Sequence, residues 1–309
     1  MEDIKRKRIR ALRANLMLIL TAVIWGSAFV AQDSASTAVH PFSLNCSRFF
    51  IGAVVLIPVF LYYNSKEDKS DKAAYKAKMI CSVKGGVFCG LALFGASALQ
   101  QLGISAGTDA GKAGFITVMY IVLVPLLGLF IKKRVGLLAW IAVAIAPIGL
   151  YFLCIQGDFK FAVSDLLILL CAVVFAIHIL VIDYYSPKSN GVLMSCIQFF
   201  VVSALSGVFM LITERPYIVN IANGWLEILY LGVMSCGVAY TLQIIAQKDT
   251  NPTVASLLMS LESVFAMIFG AIILSQTPTL RELFGSFLIF AAVILAQLPS
   301  PTLKRRKKK

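Results

Sequence analysis

The sequence predicts an all-α polytopic membrane protein, with ten transmembrane helices in two inverted five-helix repeats and both termini cytoplasmic (N-in/C-in). Three observations lead there: an apolar composition, the placement of the basic residues, and an internal repeat. Of 309 residues, 59% are hydrophobic and 14% charged, with a mean hydropathy of +0.86. Soluble domains run near ~45–50% apolar and ~25% charged, so a water-soluble globule is excluded. The net charge of +13 sits mostly at the ends: residues 1–13 carry six Lys/Arg against Glu2 and Asp3, and residues 304–309 carry six more. A nucleic-acid binder would need its basic residues on a folded face among polar or aromatic readers. Here they flank hydrophobic spans, so the expected partner is the bilayer and not a nucleic acid.

Hydrophobic windows bounded by charges or Gly/Pro signals fall at about 14–32, 42–63, 82–103, 110–131, 135–155, 164–184, 191–213, 224–246, 252–275 and 281–298. Each is long enough to cross ~30 Å of hydrocarbon as a helix rising ~1.5 Å per residue. Open strands are excluded, because their backbone polar groups would stay unpaired in lipid. The first window follows a basic stretch as a signal peptide would, but nine further spans follow it, so an uncleaved first helix is expected. With the N-terminus inside, the cytoplasmic segments hold 23 Lys/Arg, including Lys66, Lys69, Lys72, Lys76, Lys78 and Lys84 in one connection. The other side holds five: Arg48, Lys112, Lys160, Arg215 and Arg281. The positive-inside rule therefore selects N-in and C-in, in a multi-pass protein of the cell (plasma) membrane. The expected organisation is a basic tail (1–13), a first unit (14–155), a second unit (164–298) and a second basic tail (299–309).

An offset of 150 lays Cys46-Ser47-Arg48-Phe49-Phe50 over Cys196-Ile197-Gln198-Phe199-Phe200, Asp33 over Asp183, and Trp25-Gly26 over Phe175-Ala176. Further along, an offset of 142 brings Gln101 to Gln243, Thr108 to Thr250, Ala113 to Ala255 and Gly128 to Gly270. The change of eight falls in the Lys-rich connection around 64–80, where an insertion costs little. Five spans per copy is an odd number, so the second copy must lie upside down relative to the first. Inverted repeats are a hallmark of secondary transporters, with the substrate site near the midplane between the halves.

Particular residues point the same way. Trp25-Gly26-Ser27-x-Phe29, Pro41 ahead of the second helix and Arg48 within it resemble the opening of the EamA domain of the drug/metabolite transporter (DMT) superfamily. The stretch Ala110-Gly111-Lys112-Ala113-Gly114-Phe115-Ile116-Thr117, continuing through Tyr120 to Val124-Pro125-Leu126-Leu127, is similar to the fourth helix of a bacterial branch of it. Asp165 to about Leu298 is similar to a second EamA repeat. The resemblance implies ten helices, an inverted 5+5 arrangement, and export or uptake of small metabolites by alternating access. Members often carry Glu after the fourth and ninth helices, where this chain has Arg134 and Gln276.

A charge at the bilayer centre costs on the order of 2.5–3.5 kcal/mol on insertion scales, so each one needs a reason. Glu262 lies mid-span on a stripe with Ala255, Met259, Ala266 and Gly270, and a small-residue face of this kind packs on neighbours or lines a cavity. It is read as a proton carrier or a partner for a substrate amine, against a protonated structural glutamate. Its partner at the 142 offset is Tyr120, so both would face one cavity. Gln101 and Gln243 either bind substrate or staple the third and eighth helices together. Arg48 either reads a carboxylate or phosphate bidentately, pairs with Asp33, or snorkels to headgroups. His178 is either a neutral packing residue or a site residue, and Trp25 and Tyr240 are either cavity wall or packing. Lys112 is either an anion lure at a helix start or a solvated loop lysine. Pro58, Pro125 and Pro147 fall inside helices as candidate hinges, and Gly103, Gly107 and Gly111 span the turn between the third and fourth.

No catalytic or metal site is expected and no cofactor. The seven cysteines show no C-x-x-C spacing and read as small hydrophobes. Gly103-Ile104-Ser105-Ala106-Gly107 fits G-x-S-x-G but lacks the strand a nucleophile elbow requires, and the sequon at Asn45 falls inside a helix. The expectation is a secondary carrier of a small organic metabolite, amino-acid-like or drug-like, driven by a proton or substrate gradient. The alternatives are an intramembrane enzyme, a channel or a scaffold. Sidedness is open to direct test: in a cysteine-free background, an impermeant thiol reagent applied to intact cells should label a cysteine at 160 and spare one at 70. The reverse pattern defeats the N-in assignment.

Overall fold

The computed structural model describes residues 2–36, 38–108, 110–133, 135–155, 157, 162–215, 218–273 and 277–298. Lys160, Arg134, Gln276 and the tail 299–309 lie outside the described residues, as does the side chain of Asp33. Ten helices are long and apolar enough to cross a membrane. In chain order they are α1 (Arg8–Ser36), α2 (Pro41–Ser65), α3 (Lys72–Ser105), α4 (Lys112–Phe130), α5 (Leu137–Cys154), α6 (Val163–Lys188), α7 (Gly191–Thr213), α8 (Trp225–Ala246), α9 (Pro252–Ile273) and α10 (Leu280–Gln297). Every regular element among the described residues is helical.

Local chemistry sets the ends. Pro41 opens α2, and the Glu214 carboxylate just beyond α7 accepts from the backbone N–H groups of Phe42 and Ser43, both at 2.8 Å. Two otherwise orphaned donors are thereby satisfied by another helix's end. Asn190 caps α7, Asn251 caps α9 ahead of Pro252, and a Thr279/Glu282 capping box opens α10. α3 starts well before the apolar window, at Lys72. Asp71 accepts from Ala74 N at 2.9 Å there, and the Ala- and Lys-rich run that follows has high helix propensity.

The helices of one half pack largely on those of the other. α2 lies against α7 and α5 against α10; α1 contacts α8 and α9, and α6 contacts α3 and α4. α2 also meets α8, α3 meets α7, and α4 meets α9. Exchanging each helix of the first five for its counterpart in the second five returns these same pairings, while α9 also meets α5 and α6 where α4 makes no comparable contact with α10 or α1. Two glycine contacts repeat this in detail. A Cβ on Gly90 would come within 2.6 Å of Val201 Cβ and 2.9 Å of the Gln198 carbonyl, and one on Gly232 within 2.7 Å of Ile51 Cβ and 3.0 Å of the Arg48 carbonyl. Offsets of 142 and 150 carry the first set of residues onto the second.

The three prolines do not break their helices: helix continues through Pro58, Pro125 and Pro147. Membrane helices tolerate proline where neighbours re-satisfy the freed groups. The interruptions fall instead at Met119 in α4 and Ser260 in α9. At Met119 the backbone tightens to an i→i−3 bond, Met119 N to Ile116 O at 3.2 Å. In α9, the Ser256 and Ser260 hydroxyls bond back to Thr253 and Leu257 carbonyls, a back-bonding that bends helices. Residues Leu231–Tyr240 of α8 form a π-helix.

α1 and α9 approach closely at Gly26, where a Cβ would lie 2.5 Å from Phe265 Cβ and 2.8 Å from Ala266 N. Gly114, also helical, has nothing within 4 Å of its would-be Cβ. Overpacking costs about 1–3 kcal/mol, so Gly26→Ala should lower the melting temperature in detergent by several degrees while Gly114→Ala does not. Equal melting temperatures would contradict the α1–α9 contact.

Candidate functional site

The two helix interruptions sit immediately before the two residues singled out at membrane depth. Tyr120 begins the second segment of α4 and Glu262 lies in the first turn after the break in α9. The Tyr120 hydroxyl donates to Glu262 Oε1 at 3.3 Å. Both are buried, Glu262 being 5% exposed. Irregular backbone at membrane depth is tolerated where it is enclosed by protein or lines a cavity, and these breaks do line one. It has a volume of about 670 Å³, its mouth included, and takes its walls from both halves.

Seven of the eight candidate residues line this cavity: Trp25, Arg48, Tyr120, His178, Tyr240, Gln243 and Glu262. Arg48 does not snorkel. Its side chain is 5% exposed, Nη1 donates to Gln32 Oε1 at 2.6 Å, and the guanidinium carbon sits 5.0 Å from the centre of the Phe49 ring. Its Nε has no hydrogen-bond partner among the described residues. Trp25 and Tyr240 meet edge to face at 4.7 Å. The Trp25 indole N–H donates to the Ser235 carbonyl at 3.3 Å, and Thr21 donates to Ala239 O at 3.1 Å, both acceptors lying on the π-helical turns. His178 is within hydrogen-bond distance of Gln198 Oε1, 3.2 Å from Nε2. Gln243 is buried with Oε1 unpartnered.

Gln101 is the exception. Its Oε1 accepts from Gln32 Nε2 at 3.1 Å, so it holds the residue that holds Arg48. It ties α3 to α1 and not to α8. The neighbouring Gln100 lines the cavity instead, donating to Thr117 at 3.1 Å. Sequence reasoning missed Gln32, Gln100, Thr117, Ser97 and Ser235. Among these, Gln32 shared a helix face with Trp25 and Phe29, which was a usable signal.

The ten-helix fold agrees with the comparisons. The profile of the EamA-like transporter family matches residues 12–155 and again 162–298. The chain belongs to the EamA-like transporter family. An uncharacterized transporter of Archaeoglobus fulgidus is 32% identical over 291 residues, covering 94% of this chain and 87% of the relative. One from Clostridium kluyveri is 20% identical over 295 residues, covering 91% and 92%. A protein crystal structure with 19% identity has the same fold, with a TM-score of 0.77 and coverage of 93% of this chain and 97% of that one. Membership places the chain in the DMT superfamily as a multi-pass membrane transporter.

Two ion pairs in this EamA-like protein correct expectations for the charged residues. Lys112 is neither a lure nor a solvated lysine: its Nζ lies 2.5 Å from the Asp165 carboxylate, which is 0% exposed. Asp165 also accepts from Ala162 N at 2.6 Å and from the Thr108 hydroxyl at 3.0 Å. Asp183, matched to Asp33 in the repeat, pairs with Lys133 at 2.5 Å. α6 is thus fastened to α4 at both ends.

A buried carboxylate left without its cation is strongly destabilising, whereas removing both partners costs far less. In a double-mutant cycle on detergent-solubilised protein, Lys112→Met and Asp165→Asn should be non-additive by about 0.5–3 kcal/mol. Additivity would mean the pair contributes nothing to holding α4 on α6.

Proposed function

We propose that the protein is a secondary carrier moving a small organic metabolite across the plasma membrane by alternating access, with its halves inverted and both termini cytoplasmic. The observation that carries this is a cavity between the halves that contains a guanidinium, a carboxyl and an aromatic pair, all withdrawn from lipid. The exchange symmetry of the helix contacts supports two related halves rocking about a shared site. The cavity favours an amino-acid-like substrate over a purely apolar one. Arg48, with an uncommitted Nε, takes the anionic group; Glu262 takes the amine or carries the proton; Trp25 and Tyr240 bound the apolar part. Gln243, His178 and Tyr120 supply further polar contacts, and Gln101 acts through Gln32.

Glu262 on an interrupted helix between the halves is placed to be reached from either side. One charge moved across 100 mV is worth ~2.3 kcal/mol, about a 50-fold concentration ratio. An intramembrane hydrolase is disfavoured because His178 faces Gln198 and not a hydroxyl or thiol nucleophile.

The test is transport by purified protein in proteoliposomes, screened by counterflow against a panel of labelled amino acids, amines and carboxylates. Glu262→Gln should abolish accumulation driven by a pH gradient while counterflow persists. Unchanged accumulation and pH dependence would make Glu262 structural and remove the proton from the mechanism.

A further inference from the structure

Away from the cavity, the lipid-facing groove between α3 and α6 ends in a facet that transport does not require. Gly85 of α3 fits against Tyr185 at the end of α6, where its Cβ would approach Tyr185 Cβ to 2.8 Å. The end of α6 lies level with Ser82 and Lys84 of α3, since Asn190 N donates to Ser82 Oγ at 2.8 Å, and the start of α3, from Lys72 to Ser82, extends about 15 Å beyond it at ~1.5 Å per residue. At that level Lys84 and Lys188 are both exposed. Between them lies an aromatic floor. Phe88 stacks on Tyr185 at 5.9 Å and 17°, Tyr184 meets Tyr185 edge-on at 4.9 Å, and Lys188 Nζ stands 4.9 Å from the Tyr184 ring centre.

No described ion pair involves Lys84 or Lys188, and Asp183 and Glu67 are engaged by Lys133 and Lys78. Lys248 turns inward, donating to the Ser189 carbonyl at 2.9 Å. Farther into the hydrocarbon the same groove presents exposed Val87, Leu91 and Ile177. The order along the groove is thus ammonium, aromatic ring, aliphatic side chain, which matches the phosphate, glycerol and acyl layers of a phospholipid. Basic pockets between membrane helices bind anionic headgroups, and aromatic side chains favour the interfacial layer.

We propose that this facet binds an anionic phospholipid, with its phosphate between Lys84 and Lys188 and an acyl chain along Phe88, Leu91 and Ile177. A zwitterionic lipid gains little here, because its own amine opposes both lysines. Each lysine near a membrane surface contributes about a 5-fold increase in affinity, so removing both should weaken binding about 30-fold.

The experiment is native mass spectrometry of the full-length protein titrated in detergent with phosphatidylglycerol or phosphatidylcholine. Wild type should retain phosphatidylglycerol preferentially. Lys84→Gln/Lys188→Gln should lose that preference by about 30-fold with phosphatidylcholine unaffected. Lys84→Arg/Lys188→Arg should restore it, and Lys72→Gln/Lys76→Gln, which removes the same charge from the projecting part of α3, should leave it intact. Equal retention of the two lipids by wild type, or equal losses in the two glutamine variants, would overturn the proposal.

Discussion

Hydrocarbon offers no hydrogen-bond partner, and the rest of the structure depends on that. Backbone groups must be satisfied within each span, so each span is helical; side chains that need partners must find them in protein, so they converge between the helices. The Tyr120–Glu262 contact is where both demands meet. Each residue follows a break in its helix, each lies within a membrane-spanning helix, and each meets its partner across the two halves. The same pressure gathers Arg48, Gln32, Gln100 and Gln243 into one chamber.

What holds the chamber's walls differs around its circumference. α1 meets α9 through Gly26, with backbone almost in contact with backbone, a geometry that small residues make available without any hydrophobic driving force between helices. α4 meets α6 through ion pairs at both ends. Contacts of the first kind depend on shape, so they are lost together when the helices part. The second kind ties α4 to α6 at two points, across the halves, that must be released before those helices can part.

Much of the fold was legible in the residues themselves. Ten apolar windows gave ten helices, because lipid leaves composition little freedom, and the offsets of 142 and 150 reappear in the Gly90 and Gly232 contacts. The candidate polar residues were legible for a related reason: a costly group at depth stands out against an aliphatic background. Less legible was anything set by backbone geometry. Proline suggested breaks at Pro58, Pro125 and Pro147, yet the helices break at Met119 and Ser260, where no residue type announces it. The π-helix at Leu231–Tyr240 gives no periodic sign, although its carbonyls hold Trp25 and Thr21. Lys112 and Asp165 lie at the ends of different spans, and only packing brings them together.

The claim that the halves enclose a chamber reached in turn from each side is tested most directly at Ser97, a cavity residue whose replacement by cysteine changes little but one atom. In a background lacking the native cysteines, Ser97→Cys should react with an impermeant thiol reagent applied from either face of oriented membranes. A transported solute should protect it. A cysteine that stays inert from both faces, while one at Ser70 reacts, would contradict the chamber.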